Sequence, residues 1–175
     1  NGVINEADKT YLGSPIPWLM GGLDFGLVWK GLDFSLTLQG QVGNKILNAK
    51  RMNRDVFTDG NYDLNFYQNA WRPSRLSDTY PSAAAYNSAF VQQANSFFVE
   101  DASYFRIQNV QVGYTFSNLK GISSLRVSLT AQRPYTYFRY NGFTPEVSGS
   151  PIASGIDTST YPLQSTYTLG LKISF

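Results

Sequence analysis

The stretch Gln164-Ser165-Thr166-Tyr167-Thr168-Leu169-Gly170-Leu171-Lys172-Ile173-Ser174-Phe175 decides the fold. In an extended chain, Tyr167, Leu169, Leu171, Ile173 and Phe175 fall on one side, and Thr166, Thr168, Gly170, Lys172 and Ser174 on the other. Side chains of a strand alternate between its two faces, so one face here is wholly apolar and the other polar. An apolar face that ends on an aromatic ring suits a strand whose outer side meets lipid and whose last ring sits at the membrane interface. The same alternation recurs along the chain.

Working outward from it, period-2 alternation predicts five strands, at about 17–29, 32–43, 97–116, 124–132 and 164–175. The first sets Leu19, Gly21, Leu23, Phe25, Leu27 and Trp29 on one face, and Lys30-Gly31 then reverses the chain in a tight turn. The second sets Leu32, Phe34, Leu36, Leu38 and Val42 against Asp33, Ser35, Thr37, Gln39 and Gln41. A bilayer demands the first set and a solvated lumen accepts the second. In the third, Phe105 and Ile107 share one parity while Val110, Val112, Tyr114 and Phe116 share the other. A parity switch within one strand means one extra residue, so a β-bulge is expected at Gln108-Asn109. Ser117 to Ser123 forms the next short turn, and the fourth strand sets Leu125, Val127, Leu129 and Ala131 outward.

Between the strands lie long segments without alternation, 1–16, 44–96 and 133–163, with short helical turns expected at 81–86 and 88–94. Barrels of the bacterial outer membrane have short periplasmic turns and long extracellular loops. These segments are therefore expected outside, which leaves the carboxyl end periplasmic. Five strands cannot close a barrel, and an open edge cannot face lipid, so pairing with further strands is required.

Composition agrees. Aromatic residues make up 15% of the 175 and charged residues only 15%, against a usual charged share of about 25%. No run of about 18 apolar residues exists that could cross a bilayer as a helix. A net charge of +2 with both signs scattered gives no reason to expect nucleic acid as a partner. The absence of His and Cys removes Ser-His and Cys-His nucleophiles and His-ligated zinc, so no covalent chemistry is expected. No signal peptide is visible, although a barrel needs one to leave the cytoplasm. The chain is accordingly expected to be part of a longer protein.

Three groups of residues stand out as candidate sites. Asn1-Gly2-Val3-Ile4-Asn5-Glu6-Ala7-Asp8 matches the back half of a calcium loop, with the Asn1 side chain, the Val3 carbonyl and the Asp8 carboxylate as ligands. The alternative is an Asn-Gly turn before a strand. Tyr67, Trp71 and Tyr80 in the large loop, and Tyr137 and Tyr140 in the second, are rings that can stack on a sugar or a peptide, or simply pack their loops. Glu100 and Asp101 are adjacent and so point to opposite faces, which suits ion pairs with Arg106 or Arg133 rather than a catalytic pair.

Taken together, NGVINEADKTYLGSPIPWLMGGLDFGLVWKGLDFSLTLQGQVGNKILN, AWRPSRLSDTYPS, FFVEDASYFRIQNVQVGYTFS, RPYTYFRYNGFTPEV and GIDTSTYPLQSTYTLGLKISF resemble the C-terminal end of the SusC/RagA family of TonB-linked outer-membrane transporters. A departure is Gln132-Arg133-Pro134, where the family usually has Asn after the strand. The resemblance implies the last five strands of a plugged transmembrane antiparallel β-barrel of about 22 strands. It also implies a plug domain and TonB contact in an upstream region absent from these residues, and a SusD-like lipoprotein partner over the extracellular mouth. Active import of oligosaccharide or peptide nutrients follows from it. Thr168, Gly170, Ile173 and Phe175 further resemble the insertion signal that such barrels present to the barrel assembly machinery. Two rival classes are a soluble β-sandwich carbohydrate-binding module, whose sheets also alternate, and an outer-membrane hydrolase.

Overall fold

The computed structural model describes residues 6–54, 63–86, 93–147 and 154–175. Among these residues seven strands form: β1 (Leu19–Trp29), β2 (Leu32–Val42), β3 (Lys45–Leu47), β4 (Val99–Asp101), β5 (Tyr104–Leu119), β6 (Ile122–Phe138) and β7 (Thr166–Ser174). Three short helices, α1 (Ala49–Arg54), α2 (Leu64–Asn69) and α3 (Ala83–Tyr86), lie between β3 and β4. β1, β2, β5, β6 and β7 make one antiparallel sheet in that order, while β3 and β4 pair apart from it.

The turns at one end of the sheet are short because their residues accept left-handed backbone. Lys30 and Gly31 have φ of 45° and 86°. Positive φ at both central residues is the hairpin turn whose twist matches that of its flanking strands. The second hairpin turns at Lys120-Gly121, with Gly121 at φ 86°. It is tighter than the expected 117–123 turn, because β5 keeps pairing down to Leu119 opposite Ile122.

Register fixes the faces. Phe34 pairs with Leu27 and Val112, Val112 with Leu129, and Leu129 with Leu169, so one row across all five strands is apolar. The neighbouring row runs Gly26, Ser35, Gln111, Thr130 and Thr168, and it is polar. Among the described residues nothing covers the apolar face: Leu23, Leu129, Leu169 and Leu171 are 63%, 52%, 69% and 69% exposed. A β-sandwich buries that face against a second sheet about 10 Å away. The soluble-sandwich alternative therefore fails on the face it most needs covered.

The bulge falls at Gln108, where pairing with β2 and with β6 shifts register. It lets Phe105, Ile107, Val110 and Val112 share one face in spite of their mixed parity. Two strand bounds differ from expectation. Residues 97–103 do not extend β5; Ser96–Phe98 is a 3-10 turn and Val99–Asp101 pairs with Lys45–Leu47 instead. The fourth strand does not stop at 132 but runs to Phe138, because Arg133 and Pro134 are absorbed as a second bulge opposite Gln108. The second loop thus begins near 139 rather than 133.

The buried apolar residues lie chiefly in the loops. Phe66, Ala70 and Phe98 form one cluster, and Ile46, Ala102 and Tyr140 another. Both lie at the end of the sheet opposite the tight turns. Leu47 bridges Ile156 in parallel fashion, so both long loops join one compact body above the sheet.

Candidate functional site

That body is held together by buried polar groups. Glu100 accepts from Asn48 Nδ2 at 3.2 Å, from Arg51 Nη1 at 3.2 Å and from the Asn141 backbone N–H at 2.7 Å. One carboxylate so ties β4 to α1 and to the second loop. Asp157 does the same for the chain that leads to β7. Its oxygens accept from Tyr140 OH at 2.6 Å and Thr160 N–H at 2.8 Å, and Lys50 N–H donates to its backbone carbonyl at 2.8 Å. Burial alone would raise the Asp157 carboxyl. The bonds from Tyr140 and Thr160 and the charge of Lys50 outweigh it and hold the group below the usual carboxylate range. Ser103 donates to Asp101, which with Lys45 at 3.7 Å lowers that carboxyl as well. The expected partners of Glu100 and Asp101, Arg106 and Arg133, are therefore replaced by Arg51 and Lys45. The β3–β4 pairing, invisible in a single-strand pattern, brings those cations close.

At the mouth of the sheet, on its polar face, Glu146 reaches down from the second loop. Tyr104 OH donates to its Oε1 at 2.8 Å, Arg106 Nη2 donates to its Oε2, and Arg106 Nε donates to Thr136 Oγ1 at 3.1 Å. Arg106 is buried while the Glu146 side chain is 33% exposed, so the pair is partly desolvated and fastens the loop to the sheet. A depression of about 500 Å³ lies beside it, whose mixed lining includes Met20, Asp24, Gln39, Gln41, Tyr104 and Glu146. Gln41 and Glu146 also line a cavity of about 260 Å³ beneath the loop. Sequence alternation placed Gln39 and Gln41 on this face but gave no hint of Glu146, which sits in an irregular segment.

The candidate rings separate into three places. Trp71 and Tyr80 line an open cleft of about 470 Å³ with Ser77, Asn95 and Phe97. Tyr80 stacks edge-on against Phe97 at 5.4 Å, and the Arg51 guanidinium lies 4.3 Å from the Phe97 ring. Tyr67 is exposed beside the cleft, with Arg72 4.7 Å from its ring. Tyr137 is elsewhere: it pairs with Phe105 on the apolar face of β6, at the loop end of the sheet. Tyr140 is 4% exposed and bonded to Asp157, so its ring packs the loop core and offers no face to a ligand. Thr168 and Gly170 lie on the polar face of β7, whereas Ile173 lies on the apolar one. Phe175 is 92% exposed. Of the proposed calcium ligands, Asn1 and Val3 lie outside the described residues, and Asp8 closes an exposed 3-10 turn, Glu6–Asp8. Among the described residues no group of three or more His, Cys, Asp or Glu converges as a metal site.

No protein-family model matches the chain. The TonB-dependent receptor SusC of Bacteroides thetaiotaomicron is 32% identical over 183 residues, which cover 100% of this chain and 17% of that protein. The TonB-dependent receptor P26 of Formosa agariphila is 32% identical over 187 residues, 100% of this chain and 19% of that protein. Among solved structures, the RagAB peptide importer in its closed-closed state superposes with a TM-score of 0.72 at 25% identity, over 93% of this chain and 18% of that one. The chain thus spans 17–19% of the length of these relatives. They are named as receptors and a peptide importer, not as enzymes, in keeping with the expectation from composition. With its sheet divided into an apolar and a polar face and its loops gathered at one end, this chain is similar over its whole length to one segment of the SusC-type TonB-dependent receptors.

Proposed function

We propose that these residues are five adjacent wall strands of a closed outer-membrane barrel of about 22 strands. The complete protein imports an oligosaccharide or peptide nutrient with energy relayed by TonB, and a SusD-like lipoprotein covers its extracellular mouth. The observation that carries this is the row structure of the sheet, apolar from Leu27 to Leu169 on one face and polar from Gly26 to Thr168 on the other. Such a wall separates lipid from a solvated lumen. The tight turns at Lys30-Gly31 and Lys120-Gly121 then lie in the periplasm and the loop body faces outward, with the Trp71–Tyr80 cleft open to cargo or partner. Deleting the gene should abolish growth on one class of nutrient while leaving extracellular hydrolysis of that nutrient intact. Lost hydrolysis with intact uptake would favour the hydrolase alternative.

Thr168, Gly170, Ile173 and Phe175 supply, in this reading, the signal read by the assembly machinery. Full burial of a Phe ring is worth only about 1.5–3 kcal/mol, small against a whole wall of outward side chains. Phe175→Asp should therefore cut outer-membrane levels severalfold while uptake per inserted molecule stays near normal, as surface labelling paired with transport assays would show. Unchanged levels would reduce the pattern to lipid-facing periodicity.

A further inference from the structure

Past Gln132, β6 runs on without β7. The ladder between them ends where Thr166 faces Gln132, and Ser165 Oγ donates to the Arg133 carbonyl at 2.7 Å. Between β6, the second loop and the approach to β7 lies a cavity of about 210 Å³. Its lining includes Arg133, Thr136, Phe138, Phe143, Thr144 and Leu163.

The charge around this cavity is not balanced. Arg106, also on its wall, is neutralised by Glu146. Arg133 has no such partner. Among the described residues no carboxylate lies within ion-pair distance of it, and its Nε is buried without a hydrogen-bond acceptor. Buried donors are normally satisfied, so an orphan on a charged group calls for an occupant. The backbone of Arg133 is also held at a φ of 50°, and strain of this kind gathers at binding sites. Two hydroxyls add donors. Thr136 Oγ1 accepts from Arg106 Nε at 3.1 Å and Thr144 Oγ1 from the Glu146 N–H at 3.2 Å, so each keeps its own proton for a further acceptor.

A guanidinium beside two hydroxyl donors suits a carboxylate, which takes two parallel N–H bonds from the planar fork. Phe138, Phe143 and Leu163 make the rest of the lining apolar, which favours a carboxylate carried on an apolar group over a fully hydrated anion. The volume is below the roughly 300–1,000 Å³ of pockets that enclose a whole drug-sized ligand, so the end of a longer molecule enters. We infer that this cavity binds the free C-terminal carboxylate of a peptide that ends in an apolar residue, with Arg133 turning into the cavity as its anion-binding group. The inference deepens the proposed function, because it selects peptide over oligosaccharide as cargo, and it rests on that reading for the supply of the ligand.

The test is isothermal titration calorimetry of the complete protein in detergent micelles, without TonB. The probe is N-acetyl-alanyl-leucine with a free carboxylate; its C-terminal amide, D-glucuronate and sodium sulfate are the comparisons. The free acid should bind at least about tenfold tighter than each comparison, and Arg133→Asn should lose at least about tenfold in affinity for it. Arg133→Lys, which keeps the charge without the fork, should fall between. Heat-modifiability of each variant shows that it is folded, so lost binding is not lost structure. Amide, glucuronate or sulfate binding as tightly as the acid would overturn the inference, as would unchanged binding in Arg133→Asn. Absence of any binding would also overturn it, and would leave Arg133 to Gln108, which faces it across the bulge and whose buried Oε1 likewise lacks a partner. Because no transport is measured, failure here would leave the import reading intact, and failure of import would leave the binding result intact.

Discussion

At Arg133 the backbone takes a φ of 50°, a left-handed conformation that costs a residue with a Cβ about 1–2 kcal/mol unless it is Asn or Asp. The chain accepts this because Arg133 and Pro134 together face the single bulged Gln108. The Arg133 Nε is also buried without a hydrogen-bond partner, a further cost of about 1–3 kcal/mol. Arg133→Asn should relieve both and raise the thermal midpoint of the detergent-solubilised protein, corresponding to about 1 kcal/mol or more. A lowered midpoint would mean that the Arg side chain packs favourably enough to outweigh its strain. In the sequence this position stood out as a departure from a resemblance, a loop start and a possible ion-pair partner; the strain itself became visible with the neighbour's bulge. Asp157 offers a second test at this scale. Its folded pKa lies below the unfolded value of 3.8, so its contribution is fully present above about pH 4 and is lost as pH falls through the folded value. Measured against the intrinsic exchange rate at each pH, protection of the Leu47, Lys50 and Asp157 amides should fall below pH 4 and stay flat from pH 5 to 8. Asp157→Asn should be faster throughout and lose the acid step; a step that persists would assign it to Asp101.

Strands were the legible elements and loops were not, for a physical reason. In the proposed barrel β2 and β7 lie between lipid and lumen, so each position is forced to one polarity and period 2 shows in the sequence. The loop body is fixed by partners far apart in the chain: Glu100 is bonded to Asn48 and Asn141, 52 and 41 residues away. No local pattern encodes such pairs, and so β3, β4 and the burial of Tyr140 went unseen. β6 ran past its expected end because Arg133-Pro134 resembles the start of a loop. The bulge makes the sharpest prediction for an element. Gln108 is the surplus residue relative to β2, with Thr37 opposite Asn109 and Leu38 opposite Ile107. Deleting Gln108 should keep every other side chain of β5 on its face, and outer-membrane levels should stay within about twofold. Deleting Thr37, in a strand with no bulge to absorb the change, turns Leu38 and Val42 to the lumen and Gln39 and Gln41 to lipid. That protein should fail to insert. Equal loss in both deletions would show that the bulge is needed for twist, not only for parity.

For the whole molecule, the two free sheet edges dominate. Among the described residues β1 pairs only with β2, and β7 only with β6, so each outer edge leaves a row of backbone N–H and C=O groups without ladder partners there. In water such groups are solvated at small cost, but in hydrocarbon each unsatisfied one costs several kcal/mol. An 11-residue edge and a 9-residue edge together therefore outweigh a typical domain stability of about 5–15 kcal/mol. The apolar face adds to this, since Leu23, Leu169 and Leu171 need lipid and the edges forbid it until they are paired. Residues 1–175 expressed alone with a secretion signal should reach the periplasm, fail to insert, and be degraded or aggregated. Supplied together with the rest of the barrel as a second polypeptide, the same residues should become heat-modifiable and resistant to external protease, because both edges then find partners. Stable insertion of the 175-residue chain by itself would show that the edges pair with each other or with a second copy. The free edges would then specify an oligomer and not a larger single-chain barrel.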